Sequence, residues 1–221
     1  MTTSMEFAGE EQEHDSRARI ALRWFLSAAA AAPVAVLSHE MGHFLVFWAL
    51  GLPEAKLHYS SAGWSESGAF IQFVMDGEFS AAAELAPLWG VAAGFGMGLV
   101  ATYSVVIACC CLCAKWRAHP LLVALGYLSN LRIVGPVSVF LLDAFGASVR
   151  SGCDECVLSM LTSVPLGVLT LPGIIVLIGS SMWLARYFPR DQRWTAIMSM
   201  VAGMGMGVAV YQVALGPLLL P

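Results

Sequence analysis

The sequence predicts an all-α polytopic membrane protein with about five transmembrane helices and a short β-hairpin after the first. Three observations predict it. The 221 residues are 58% hydrophobic and only 12% charged, and the mean hydropathy is +0.75, a balance outside the soluble globular range. Apolar runs of the length a bilayer requires, roughly 20 residues, recur along the chain. Between the first two runs lies one polar, glycine-containing stretch.

The runs are taken in order. The opening "MTTSMEFAGEEQEHDS" is acidic and lacks a basic start followed by an apolar core, so it is not a cleavable signal. Residues 1–16 are expected to form a disordered cytoplasmic tail, and residues 17–221 the membrane-embedded domain. Spans are drawn over Ile20–Leu52, Pro87–Ala114, His119–Leu142, Leu158–Phe188 and Trp194–Leu220. Trp89, Trp116, Trp183 and Trp194 fall near span ends, where indole rings favour the interface. In "LPEAKLHYSSAGWSESGAFIQFVMDGEFSAAAEL", alternation and glycines predict a hairpin with edge strands rather than a helix.

Basic residues set an expected orientation. Arg17, Arg19 and Arg23 precede the first span, Lys115 and Arg117 follow the second, and Arg186, Arg190 and Arg193 separate the fourth from the fifth. With five crossings these clusters share one side, and the other side holds Lys56 and Arg150 among acids. The positive-inside rule then puts the N-terminus in the cytoplasm and the C-terminus outside. The net charge of −4 gives no sign of a nucleic-acid partner.

One segment of the first span breaks the apolar pattern: "SHEMGHFLVFW". His39 and His43 are four residues apart, so on a helix they share a face and can share one zinc ion. Glu40, between them, can take a proton from a zinc-bound water and return it to a leaving amine. This is the H-E-x-x-H arrangement of zinc metallopeptidases. A structural accident is the weaker explanation here, because a glutamate within a span is costly and functional by default. A catalytic zinc takes three protein ligands and a water. His14, His58 and His119 are scattered, and five histidines are too few for a histidine-rich di-iron site. The third ligand is therefore a carboxylate or a cysteine.

"HEMGH" in a long first helix, followed by a polar hairpin and further spans, resembles the site-2 protease family of intramembrane zinc metalloproteases, closest to its compact branch. The resemblance covers about Ala31 to Pro165; the fifth span matches nothing in that family. It implies hydrolysis of peptide bonds in membrane-spanning or membrane-associated substrates, a zinc cofactor, and an aspartate third ligand on a later helix. It also implies an upstream asparagine that helps hold the substrate strand. The common later motif, N-x-x-P followed by L-D-G, is absent: "SNLRIVGPVSVFLLDAFG" holds Asn130, Pro136 and Asp143 at stretched spacing. "SGCDEC" resembles the compact branch's short aspartate motif, which makes Asp154 the expected third ligand, with Asp143 and Glu155 as alternatives. Helix formers follow Asp154 directly, and a helix N-terminus helps keep a ligand carboxylate ionised. Asn130 is the expected substrate-binding residue; the other reading is a buried amide bonded to a neighbouring helix. Arg132 reads either as the second member of a polar pair facing the site with Asn130 or, preferred, as the partner of an acid, Asp143 being the nearest in sequence.

The six cysteines divide. Cys109, Cys110, Cys111 and Cys113 read first as small packing residues and second as juxtamembrane acylation sites. Cys153 and Cys156 flank Asp154 as a disulfide, metal ligands or packing residues. Gly90, Gly94 and Gly98, and likewise Gly203 and Gly207, let helices approach closely, within the bundle or across a homodimer seam. Two further functional classes accompany the protease: a non-proteolytic membrane scaffold or binding protein that keeps the fold, and a transporter. Glu40 favours the protease over the scaffold. The concentration of ionisable residues in the first and third spans disfavours the transporter.

Overall fold

The computed structural model describes residues 3–116, 119–146 and 153–220, with side chains from residue 17 onward and excepting that of Trp116. Arg117 and Arg150 of the charge pattern lie outside the described residues. The chain is a helical bundle: α1 (Thr3–Ala49), a hairpin of β1 (Lys56–Leu57) and β2 (Ala62–Gly63), α2 (Ser67–Asp76), α3 (Phe79–Leu85), α4 (Leu88–Trp116), α5 (Pro120–Ala144), α6 (Asp154–Thr162), α7 (Leu166–Leu184), α8 (Arg193–Val210) and, after a π turn, α9 (Gly216–Leu219). Among the described residues, five segments are long and apolar enough to cross a membrane: Arg17–Ala49, Leu88–Lys115, Pro120–Ala144, Leu166–Tyr187 and Arg193–Leu219.

Helix α1 takes in residues 3–16, the acidic stretch expected as a disordered tail. Its Met, Glu, Gln and Ala residues are good helix formers, so nothing local breaks the helix before the apolar part begins. The hairpin is present as a two-stranded antiparallel pair, Lys56 opposite Gly63 and Leu57 opposite Ala62. The rest of that polar stretch is not strand. Phe70 and Val74 bury one side of α2, and Ala82 does so in α3, which is the four-residue spacing of a helix. The fourth long helix begins at Leu166, not at Leu158. Ser163 adopts a left-handed conformation (φ 58°) that ends α6, and Pro165 forces the residue before it out of helical geometry.

Helix α1 is the hub and packs on α4, α5 and α8. One core joins its Trp24, Ala28, Ala31 and Ala32 to Val123, Ala124 and Leu128 of α5, Leu184 of α7, and Ala196 and Met200 of α8. A second core, at the hairpin end, joins Phe47 to Trp64, Phe70, Val74, Ala82, Val91, Phe95 and Val157. Both glycine rows are used inside the chain. A Cβ at Gly203 would strike the Phe25 backbone, and one at Gly207 the Ala29 backbone at 2.6 Å. Pro33 lies within α1 and has no N–H for the Ala29 carbonyl, the carbonyl that Gly207 approaches. Gly94 and Gly98 of α4 face Phe47 and His43 of α1, and Gly90 faces Leu50 just past its end. Cys109 and Cys113 are buried packing residues, Cys110 is half-buried and Cys111 exposed.

Gly207→Val should therefore lower stability by about 1–3 kcal/mol, the usual cost of overpacking. Gly205→Val, at a position with open space around its Cβ, should be much milder. Thermal unfolding of the detergent-solubilised variants makes the comparison.

Candidate metal centre

The two histidines stand between the two cores. Around His39 and His43 the crossing of α1 over α4 is close: a Cβ on Gly42 would approach the Met97 carbonyl oxygen at 2.7 Å and the Gly98 Cα at 3.0 Å. A side chain at Gly98 would overlap the His43 ring. Close backbones bring the polar groups of α4 within reach of the imidazoles. His43 Nδ1 donates to the Gly94 carbonyl oxygen at 2.9 Å. His39 Nδ1 lies 2.8 Å from Thr102 Oγ1, and that hydroxyl donates to the Gly98 carbonyl oxygen at 3.1 Å. With its proton committed there, Thr102 accepts from His39 Nδ1.

Both imidazoles thus place their Nδ1 protons outward, and in the neutral form both turn an Nε2 lone pair inward. The inward atoms converge. His39 Nε2 and His43 Nε2 are 3.0 Å apart, and Asp154 Oδ2 lies 2.9 Å from the first and 3.3 Å from the second. Two lone pairs and a carboxylate oxygen at these distances require a positive charge among them, either a proton or a metal cation. Among the described residues, His39, His43 and Asp154 are the group that could hold a metal ion. The spacing suits it: donors each about 2.0–2.2 Å from a tetrahedral ion sit about 3.3 Å from one another. The Nδ1 bonds are the outer contacts that fix the tautomer and aim of metal-binding histidines.

Asp154 opens α6, where Cys153 caps the helix by accepting the Cys156 N–H at 3.2 Å. Cys153 and Cys156 form a disulfide around it. Burial pushes the Asp154 carboxyl up, but hydrogen bonding with His39 and His43 outweighs that and holds it well below the ordinary carboxylate range. Glu155 is buried but stands outside the cluster. Burial, with the Asp154 charge adding to it, pushes the Glu155 carboxyl up to about 7. Asp143 is exposed near the end of α5 and takes no part in the group.

Glu40 is buried beside the histidines, and Arg132 Nη2 of α5 donates to its Oε1 at 2.5 Å. Arg132 therefore pairs with Glu40, not with Asp143. The reason is geometric: α5 packs against α1, while Asp143 lies on α5 itself and on an exposed stretch. Asn130 is buried away from the cavity. Its amide donates to Ser180 Oγ at 2.9 Å and Ser181 Oγ at 3.4 Å, joining α5 to α7. That is the buried-amide geometry, and it does not present Asn130 to a ligand at the metal group.

A cavity of about 530 Å³ extends from His39, Glu40, His43, Arg132 and Asp154 to Lys56, His58, Ser61, Gly63 and Trp64 of the hairpin region. Thr102 and Gly94 escaped the sequence reading as parts of the centre. The glycine row on α4 carried the only signal, since small residues there let the histidine-bearing helix come near. Comparison with protein-family models, curated proteins and solved structures finds no match to this chain.

Thr102→Val removes the acceptor for His39 Nδ1 while keeping the shape. Affinity for a divalent cation should fall about 10–100-fold, and Thr102→Ser should restore it. Competition titration against a chelator gives the numbers.

Proposed function

We propose that the chain is an intramembrane zinc metalloprotease that hydrolyses peptide bonds of membrane-spanning or membrane-associated substrates. The observation that carries the reading is the convergence of two imidazole nitrogens and one carboxylate oxygen beside Glu40, within helices long and apolar enough to cross a bilayer. The resemblance of "HEMGH" and "SGCDEC" to the site-2 protease family supports it. A donor set of two nitrogens and one oxygen suits zinc and leaves a position for water.

Zinc bound there would polarise a peptide carbonyl and acidify a water. His39 and His43 hold their Nε2 atoms in place through Thr102 and Gly94. Asp154 supplies the negative charge that offsets part of a cation's own. Glu40 accepts the water's proton on its carboxylate and returns it to the leaving amine. The hairpin lines one side of the cavity with polar groups, among them Lys56 and Ser61.

The positive-inside pattern supports a cytoplasmic N-terminus and an outer C-terminus. His39 then lies about 15 Å inside the outer end of α1, at about 1.5 Å rise per residue. The bilayer and a membrane protein or peptide are the partners in this reading. One observation favours the other reading, a non-proteolytic scaffold or binding protein: Glu40 is engaged by Arg132 rather than free.

Variants separate the two. Glu40→Gln should keep about one zinc per chain and lose cleavage of a transmembrane reporter peptide. Asp154→Ala should lose the metal, and Asp143→Ala should keep both metal and cleavage. Zinc analysis and the reporter assay are run on the same preparations; wild-type protein that binds zinc and cuts nothing would favour the scaffold.

Reporter fusions at the two ends should fall on opposite sides of the membrane. Ends on one side would refute five crossings.

A further inference from the structure

Arg132 sits midway along α5, an apolar helix, where a charge is costly and needs a reason. Among the described residues, the acceptor for its guanidinium is Glu40, at 2.5 Å. The guanidinium carries five N–H groups in a planar fork, so one bond to Glu40 leaves others for a second acceptor. Arg132 lines both the main cavity and a smaller one of about 150 Å³ behind His39. Its side chain is 40% exposed, against 6% for Glu40. The arginine can therefore turn toward the cavity while the glutamate stays fixed.

We infer that Arg132 is a catalytic residue that passes its charge from Glu40 to the oxygen of the scissile carbonyl. This rests on the protease reading. As water adds to the carbonyl carbon, a C–O bond forms, the carbonyl π pair moves onto its oxygen, and the water's proton goes to Glu40. Glu40 becomes neutral in the same step in which the carbonyl oxygen becomes negative. The guanidinium loses one counter-charge and gains another within reach of the same fork, and the chain and peptide together keep their charge. In a buried site, where charge separation is expensive, that exchange stabilises the transition state. When the C–N bond breaks, the proton leaves Glu40 for the amine, the oxygen regains its double bond, and Arg132 returns to Glu40. Before peptide binds, Arg132 occupies the Glu40 carboxylate.

The test uses full-length zinc-loaded protein with Arg132→Gln and Arg132→Lys. Zinc content, kcat and KM on a transmembrane reporter peptide are measured, together with the affinity of a phosphinic peptide that mimics the oxyanion. For Arg132→Gln, kcat and phosphinic-peptide affinity should each fall about 10²–10³-fold, as for loss of one oxyanion donor. KM and zinc content should change little. Arg132→Lys keeps the charge without the fork and should lie between. Unchanged kcat and phosphinic affinity in zinc-replete Arg132→Gln would overturn the inference and leave the protease reading standing. So would loss of fold and zinc in Arg132→Gln with full activity in Arg132→Lys, which makes the arginine a counter-ion only. Zinc-loaded wild type that neither cleaves the reporter nor binds the phosphinic peptide would overturn both.

Discussion

The close crossing of α1 over α4 is the constraint on which the centre depends. Gly42 on one helix and Gly94 and Gly98 on the other bring the backbones together. Only then can the Gly94 carbonyl and the Thr102 hydroxyl reach the histidine Nδ1 atoms. A larger residue at Gly98 would occupy the space of the His43 ring. The motif's glycine is thus as structural as its histidines are chemical. The same pair of helices builds the packing and aims the ligands, so the geometry of the site is set by the bundle and not by a loop.

Polar groups in an apolar bundle are costly unless paired, and those at and near the centre find partners on other helices. His39 meets Thr102, His43 meets Gly94, Glu40 meets Arg132, and Asn130 meets Ser180. Each bond therefore reports a helix pair: α1 with α4, α1 with α5, α5 with α7. These bonds add direction to packing that apolar contact alone leaves free to slide. The two apolar cores lie on either side of the polar belt and hold the helices in register.

Helix positions and the histidine pair were legible because they rest on local rules. Apolar runs mark long helices, and a four-residue spacing puts His39 and His43 on one face. The hairpin was legible from alternation and glycines, but α2 and α3 were not. Their buried residues are few, and polar residues between them masked the helical period. The break between α6 and α7 was hidden in an apolar run, where Ser163 and Pro165 were the only punctuation. Pairings across helices were the least legible. Nothing in the one-dimensional order says whether Asn130 or Arg132 turns toward α1, since they lie two residues apart and face different neighbours. Asp154 was legible as the carboxylate beside the histidines through the resemblance of its motif to a known one, and Asp143 stands apart from them because the end of α5 is exposed.

Two of the three donor atoms come from one turn of α1, and the third comes from a helix that begins more than a hundred residues later. The histidines share a face as soon as α1 forms. Asp154 joins them only when α6 has docked on α4, so the complete donor set belongs to the folded bundle. Any cation that binds all three donors therefore favours that fold over looser ones. Two local features prepare Asp154 for the role. Val157 anchors α6 in the core at the hairpin end, and the disulfide between Cys153 and Cys156 ties down the turn that carries the carboxylate. The bridge closes too short a loop to restrict the unfolded chain by much. Its effect is local: it limits how far the Asp154 backbone can move from the histidines, so the carboxylate is held by covalent and apolar constraints before any ion contributes.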